Sequence, residues 1–184
     1  MKPLHFLELL FLSAIWGASF MFMRIAAPEL GTLALASLRV TIAALVLSPI
    51  FLRYWFRRNE KPFSNQAHVT NSQVLKHLII VSITGAAIPA YLFAYAASNI
   101  NAGFASILNG TTPLWGAAMA ALIYANRTSF VSIIGLAIGF IGVIVLSFDK
   151  LQAPDSSGLY SVLAIVFATS LYGFSSNYSK HNLI

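Results

Sequence analysis

One cation stands where a charge is costly. Arg39 interrupts the otherwise apolar run from Leu30 to Leu52. At about 1.5 Å per residue it lies roughly 13 Å from the outer end of that run, close to the middle of a bilayer-sized helix. A charge at that depth is functional by default and calls for a partner, yet no Asp or Glu stands at comparable depth in the sequence. Two uses of the guanidinium are open. It is tied to main-chain carbonyls freed by Pro89 or Pro113 and to Asn109, or it contacts an anionic group of a ligand, such as a carboxylate. Arg24 is different, because it lies within a turn of a helix end. There its stem can snorkel to water or its head can pair with Glu29, making the two an outer-face charge pair.

Helical spacing suggests what surrounds Arg39. Thr84, Ala87, Tyr91, Tyr95 and Ser98 form one stripe, and Ala105, Asn109, Thr112 and Gly116 form another. Side by side, these stripes line a cavity with hydroxyls, an amide and aromatic faces, with Trp16 and Trp115 as further walls. The expected ligand-binding set is therefore Arg39, Trp16, Tyr91, Tyr95, Asn109, Thr112 and Trp115. Helix packing is the competing use, since small and weakly polar residues also fill membrane helix interfaces. Packing is the reading preferred for Gly135, Gly139 and Gly142. No enzyme chemistry is indicated. Intramembrane hydrolysis needs a nucleophile and a base at depth, whereas His5, His68, His77 and His181 lie outside or at the edges of apolar runs. No metal cluster or cofactor motif is present. The sequons at Asn109, Asn126 and Asn177 fall in spans or on the inner side and are read as chance.

The elements that must hold these residues are membrane helices. With 58% hydrophobic and 9% charged residues over 184 positions, and a mean hydropathy of +0.79, the chain has too little polar surface to cover a soluble globule. Its first partner is the lipid bilayer. Six spans are expected, at about 4–27, 30–52, 74–98, 102–124, 130–148 and 158–178, with Pro28 and Glu29 turning the chain after the first. A signal peptide is the weaker reading of the first run, because the apolar stretch continues through Met23 and more spans follow. Residues 149–157 form an outer linker. The absence of Cys excludes disulfides and thiolate metal sites. If the N-terminus is cytoplasmic, eight of the eleven cations (Lys2, Arg53, Arg57, Arg58, Lys61, Lys76, Arg127 and Lys180) fall inside and only Lys150 falls outside. That bias accounts for the net charge of +6 without nucleic acid.

The sequence also nearly repeats itself. Ile-Trp-Gly-Ala-Ser-Phe-Met-Phe-Met-Arg at 15–24 aligns without gaps on Leu-Tyr-Gly-Phe-Ser-Ser-Asn-Tyr-Ser-Lys at 171–180, setting Trp16 against Tyr172, Gly17 against Gly173, Ser19 against Ser175 and Arg24 against Lys180. Similarity at a fixed offset marks an internal repeat. Five spans separate the copies, and an odd number inverts the second, as in many secondary transporters whose site lies near the midplane. The expected fold is an all-α membrane protein, a multi-span helical bundle. It comprises one five-helix repeat over residues 1–148 and, over 158–184, the first helix of an inverted second repeat.

At this point the chain resembles a known family. Ile-Trp-Gly-Ala-Ser-Phe at 15–20, Ser-Leu-Arg-Val at 37–40, Asn-Ala-Gly-Phe-Ala-Ser at 101–106, Thr-Thr-Pro-Leu-Trp at 111–115 and the Gly-spaced fifth span are similar to EamA-type transporters of the drug/metabolite transporter superfamily. The resemblance implies a ten-span carrier of the bacterial inner membrane, built from two inverted five-span repeats and commonly exporting amino acids or other small metabolites. Where such proteins often carry an acidic residue after the fourth span, this chain has Asn126 followed by Arg127, and spans seven to ten are missing. Small multidrug resistance proteins, which resemble one such repeat, use a deep carboxylate for proton exchange. Glu8 lies one turn from the inner end of its span, so no coupling ion is assigned. Two functions follow: a metabolite exporter present as a partial chain, or a non-transporting membrane protein or fragment that assembles with a second copy or partner chain.

The topology predicts its own test. In this Cys-free chain, single cysteines introduced at Arg58 and Lys150 should label from opposite sides of the membrane, Arg58→Cys from the cytoplasm and Lys150→Cys from outside. Labelling of both from one side removes the inversion.

Overall fold

The computed structural model of the protein describes residues 3–57, 71–123, 129–151 and 156–183. The expected basic-loop residues Arg58 and Lys61, and the pair Asn126–Arg127, lie outside them. Within them the chain is an all-α bundle. Four stretches are long and apolar enough to cross a bilayer: His5–Leu30, Thr32–Arg53, Ser72–Asn99 and Ser157–Asn182.

Helix α1 (Pro3–Leu30) and helix α2 (Thr32–Arg57) meet at Gly31. Gly31 takes φ of 79°, a left-handed conformation open to glycine at little cost. Its N–H bonds the Ala27 carbonyl at 3.0 Å, closing α1 in the manner of a glycine C-cap. The turn is therefore Gly31, not Pro28 and Glu29, which remain inside α1. Pro28 removes the main-chain donor to the Arg24 carbonyl, but it falls in the last turn, so the helix has only two residues left to run. With α2 starting at Thr32, Arg39 sits seven residues in, about 10 Å at 1.5 Å per residue, somewhat shallower than a start at Leu30 implies.

The third span is one path in three pieces: α3 (Asn71–Ser82), a π-helical turn (Ile83–Ala87) and α4 (Ile88–Asn99). Pro89 explains the turn. It has no N–H to give the Gly85 carbonyl, and its ring crowds that carbonyl, so the preceding turn widens. The Ile88 N–H accordingly reaches Ile83, five residues back. The fourth span is not continuous either. It divides into α5 (Ala102–Asn109) and α6 (Thr112–Leu122), with the break at Gly110 and Thr111, one turn before Pro113. The Asn101 side chain caps α5 by accepting from the Phe104 N–H at 2.7 Å. Helix α7 (Phe130–Leu151) absorbs residues 149–151 of the expected linker, and residues 152–155 lie outside the described part. Helix α8 (Ser156–Asn182) begins two residues before the expected start.

The arrangement differs from two stripes packed side by side, because α8 packs against both α4 and α6 and stands between them. It is the centre of the bundle: 39% of its most apolar window is buried, against 11% for α1 and α2. Small residues make this close approach feasible, which matters in lipid, where the hydrophobic effect does not drive helix association. Ala94, Ala96 and Ala97 of α4 and Ile165, Ala168 and Thr169 of α8 are essentially inaccessible. Gly173 lies on the backbone of Trp115 and Gly116, so that a Cβ there would stand 2.7 Å from the Trp115 carbonyl carbon. Polar contacts fix the register. Asn177 Nδ2 donates to the carbonyls of Gly116 at 2.9 Å and Gly173 at 2.8 Å, and Thr111 Oγ1 donates to Thr169 Oγ1 at 3.0 Å. A ladder of rings crosses the bundle, with Phe20 edge-on to Phe93 at 5.6 Å and Phe93 stacked on Tyr172 at 5.9 Å. The outer faces, including Phe22, Leu45, Leu122 and Val131, stay exposed, an apolar surface suited to lipid.

These contacts predict opposite outcomes for two glycines that the repeat makes equivalent. Gly173→Ala should destabilise by about 1–3 kcal/mol through overpacking against fixed backbone. Gly17→Ala should be neutral or stabilising by up to ~1 kcal/mol, since nothing lies within 4 Å of its Cβ and alanine favours helix. Thermal unfolding in one detergent compares them.

Candidate functional site

Arg39 projects from α2 toward α1, where Nη1 contacts Met23 Sδ and Nη2 donates to Ser19 Oγ at 3.3 Å. Neither partner is charged, and among the described residues no carboxylate pairs with the guanidinium. It borders three cavities. The largest, 660 Å³, runs between α2, the π-helical turn and α4, and ends on Phe93 and Tyr172. A second, of 310 Å³, is walled by Trp16, Ser19, Phe20, Phe93, Asn109 and Tyr172. The third, of 420 Å³, lies along α1. The first two share Arg39, Phe93 and Tyr172, so the cation sits where they meet.

One carbonyl that the sequence offered to Arg39 is bonded elsewhere. Pro113 cannot donate to Asn109, and the Asn109 carbonyl is taken instead by Thr112 Oγ1 at 2.8 Å. Thr112 thus serves the helix break. Asn109, buried to 8% exposure, does wall the 310 Å³ cavity with Trp16 and Arg39. Tyr91 and Tyr95 border none of the three cavities; Tyr91 is exposed on the outer side of α4. Trp115 lies apart from Arg39, edge-on to Phe140 at 4.9 Å, with its indole N–H buried and unbonded. Of the three glycines in α7, only Gly139 meets a neighbour, Leu114; Gly135 and Gly142 face open space.

Arg24 also corrects its reading. It neither pairs with Glu29 nor reaches for water alone. Nη1 donates to the carbonyls of Ala97 at 2.9 Å and Ser98 at 2.7 Å. These are unsatisfied last-turn acceptors of α4, and a cation there also answers the negative end of the helix dipole. Glu29 is exposed.

Residues of the site that escaped the sequence reading as lining groups include Ser19, Phe20, Met23, Phe93 and Tyr172. A signal existed for the last. Tyr172 is the repeat's counterpart of Trp16, and both wall the same 310 Å³ cavity. Among the described residues no group of three His, Asp or Glu side chains is placed to hold a metal.

A family model for EamA-like transporters matches residues 6–148, well over half of the sequence, and the chain belongs to that family. A protein described as "Uncharacterized transporter in trpA 3'region", from Buchnera aphidicola subsp. Schlechtendalia chinensis, is 23% identical over 185 residues, covering 97% of this chain. The match takes in 56% of that relative, so the chain spans about half its length. No solved structure matches the chain. The family expected from the motifs at 15–20, 37–40, 101–106 and 111–115 is the family found, and the protein is a multi-pass membrane protein of a transporter family.

The geometry separates Arg24 from Glu29. Arg24→Met should lower stability by about 1.5–3 kcal/mol, the scale of hydrogen bonds made by a charged group, whereas Glu29→Gln should leave it unchanged. Thermal melts in detergent measure both.

Proposed function

We propose, from membership of the EamA-like family and from Arg39, that the protein works as a secondary transporter of the bacterial inner membrane with its N-terminus in the cytoplasm. It exports small carboxylate-bearing metabolites, the class to which amino acids belong, by alternating access around the Arg39 cavities. One observation carries this reading. A guanidinium about 10 Å inside the span meets only a thioether and a hydroxyl while facing 660 and 310 Å³ of space. A charge at that depth is costly until an anion meets it, and cavities of this size suit small ligands. Trp16 and Asn109 belong to the binding wall. The excess of cations on one set of loops supports the orientation.

In a second arrangement a second copy or a partner chain supplies a facing half of the site.

Proteoliposomes loaded with labelled amino acids and organic acids test the proposal. Flux should depend on the protein, and Arg39→Gln should reduce it by about tenfold or more, roughly 1.4 kcal/mol of lost interaction, while the variant still elutes as a folded species. Protein-dependent flux indifferent to Arg39→Gln overturns the role of Arg39. Absence of flux from folded protein favours a non-transporting membrane protein, and flux restored only by co-expressed chains favours assembly with a partner.

A further inference from the structure

Resting on the reading that Arg39 holds a substrate carboxylate, we infer that the ligand is a lipophilic carboxylate without an ammonium group, not a zwitterionic amino acid.

Among the described residues, the cavities around Arg39 offer a cation for the carboxylate but nothing anionic for an ammonium. The acids with described side chains, Glu8 and Glu29, stand near opposite ends of α1, and Glu8 is engaged with His5 at 3.1 Å. Neither borders any of the three cavities. An ammonium has three donors to place. The side chains there able to accept are those of Ser19, Asn109 and Tyr172 and, in the larger cavity, Ser82. Ser19 Oγ already accepts from Arg39, and Asn109 Oδ1 is approached by Thr112 Oγ1 at 3.4 Å. An α-ammonium would therefore stand beside a guanidinium, in a low-dielectric wall, with neutral acceptors alone. Burying a cation without an anion is strongly unfavourable. A carboxylate lacking that group keeps the attraction and loses the penalty.

The remaining space describes the rest of the molecule. Beyond Arg39 the 660 Å³ cavity is walled mainly by apolar groups such as Val40, Ala43, Leu47, Ile83 and Ala90, with the Ser82 hydroxyl at one edge. An apolar tail lies there with its contacts satisfied, while Phe93 and Tyr172 flank the head. A polar or doubly charged tail has no such match.

A matched pair of ligands decides the matter. 3-Phenylpropionate and phenylalanine share one skeleton and differ by the ammonium, and 2-phenylethylamine carries the cation without the acid. Binding is measured at pH 7 by tryptophan fluorescence and calorimetry on the protein in phosphatidylcholine nanodiscs; Trp16 in the smaller cavity serves as reporter. The expected result is 3-phenylpropionate bound at least about tenfold more tightly than phenylalanine, about 1.4 kcal/mol, with no binding of the amine. Arg39→Gln should weaken 3-phenylpropionate by a similar factor and Arg39→Lys by less. Phenylalanine binding as tightly as 3-phenylpropionate, with both lost in Arg39→Gln, overturns this inference and leaves the carboxylate reading standing. Binding of 3-phenylpropionate unaffected by Arg39→Gln, or no binding of either acid, overturns both. The comparison of ligands on the unmodified protein is decisive even if a variant does not fold.

Discussion

Every main-chain polar group inside a bilayer must find its partner within the protein, and much of this structure is an answer to that demand. Prolines and several helix ends leave carbonyls over. Thr112 takes the Asn109 carbonyl at the break before Pro113, and Ser175 of α8 reaches the Val81 carbonyl at 3.3 Å beside the π-helical turn. Arg24 takes two carbonyls at the end of α4, and Asn177 takes that of Gly116. Three of these four donors come from a different span, so satisfying the backbone and assembling the bundle are one process.

Against that pattern Arg39 stands out. Both deep arginines are exposed to whatever occupies the adjacent space, but Arg24 is committed to carbonyl oxygens and Arg39 to a sulfur and a hydroxyl. A guanidinium offers five donors in a fork matched to planar anions. One that meets only neutral partners keeps most of that capacity for a ligand, which is why the site is built on Arg39 and not on the cation nearer the helix end.

The site is also wired into the packing. Phe93 belongs at once to the ring ladder and to the walls of the two cavities that meet at Arg39, as does Tyr172. Gly85, in the π-helical turn, lines the larger cavity and is pressed against Ser175 of α8. A displacement of α8 therefore alters cavity wall and helix geometry together, since close-packed interiors move by repacking and not by stretching.

The sequence by itself determined the material: apolar runs of bilayer length, a cation excess on one set of loops, a repeat linking Trp16 to Tyr172, family motifs, and one charge at depth in Arg39. These are properties of composition and local order, and they survive whichever helices become neighbours. It placed less well whatever depends on a partner. Tyr91 and Tyr95 share a stripe with Thr84 but border none of the cavities at Arg39, Thr112 serves the backbone, and Arg24 ignores Glu29 for carbonyls more than seventy residues away. Periodicity names the rows on a helix; it does not say which row meets which. Only the tertiary structure decided that, because in lipid both faces of a helix are apolar, and the choice falls to where a glycine such as Gly173 lets two backbones touch and where a freed carbonyl finds its donor.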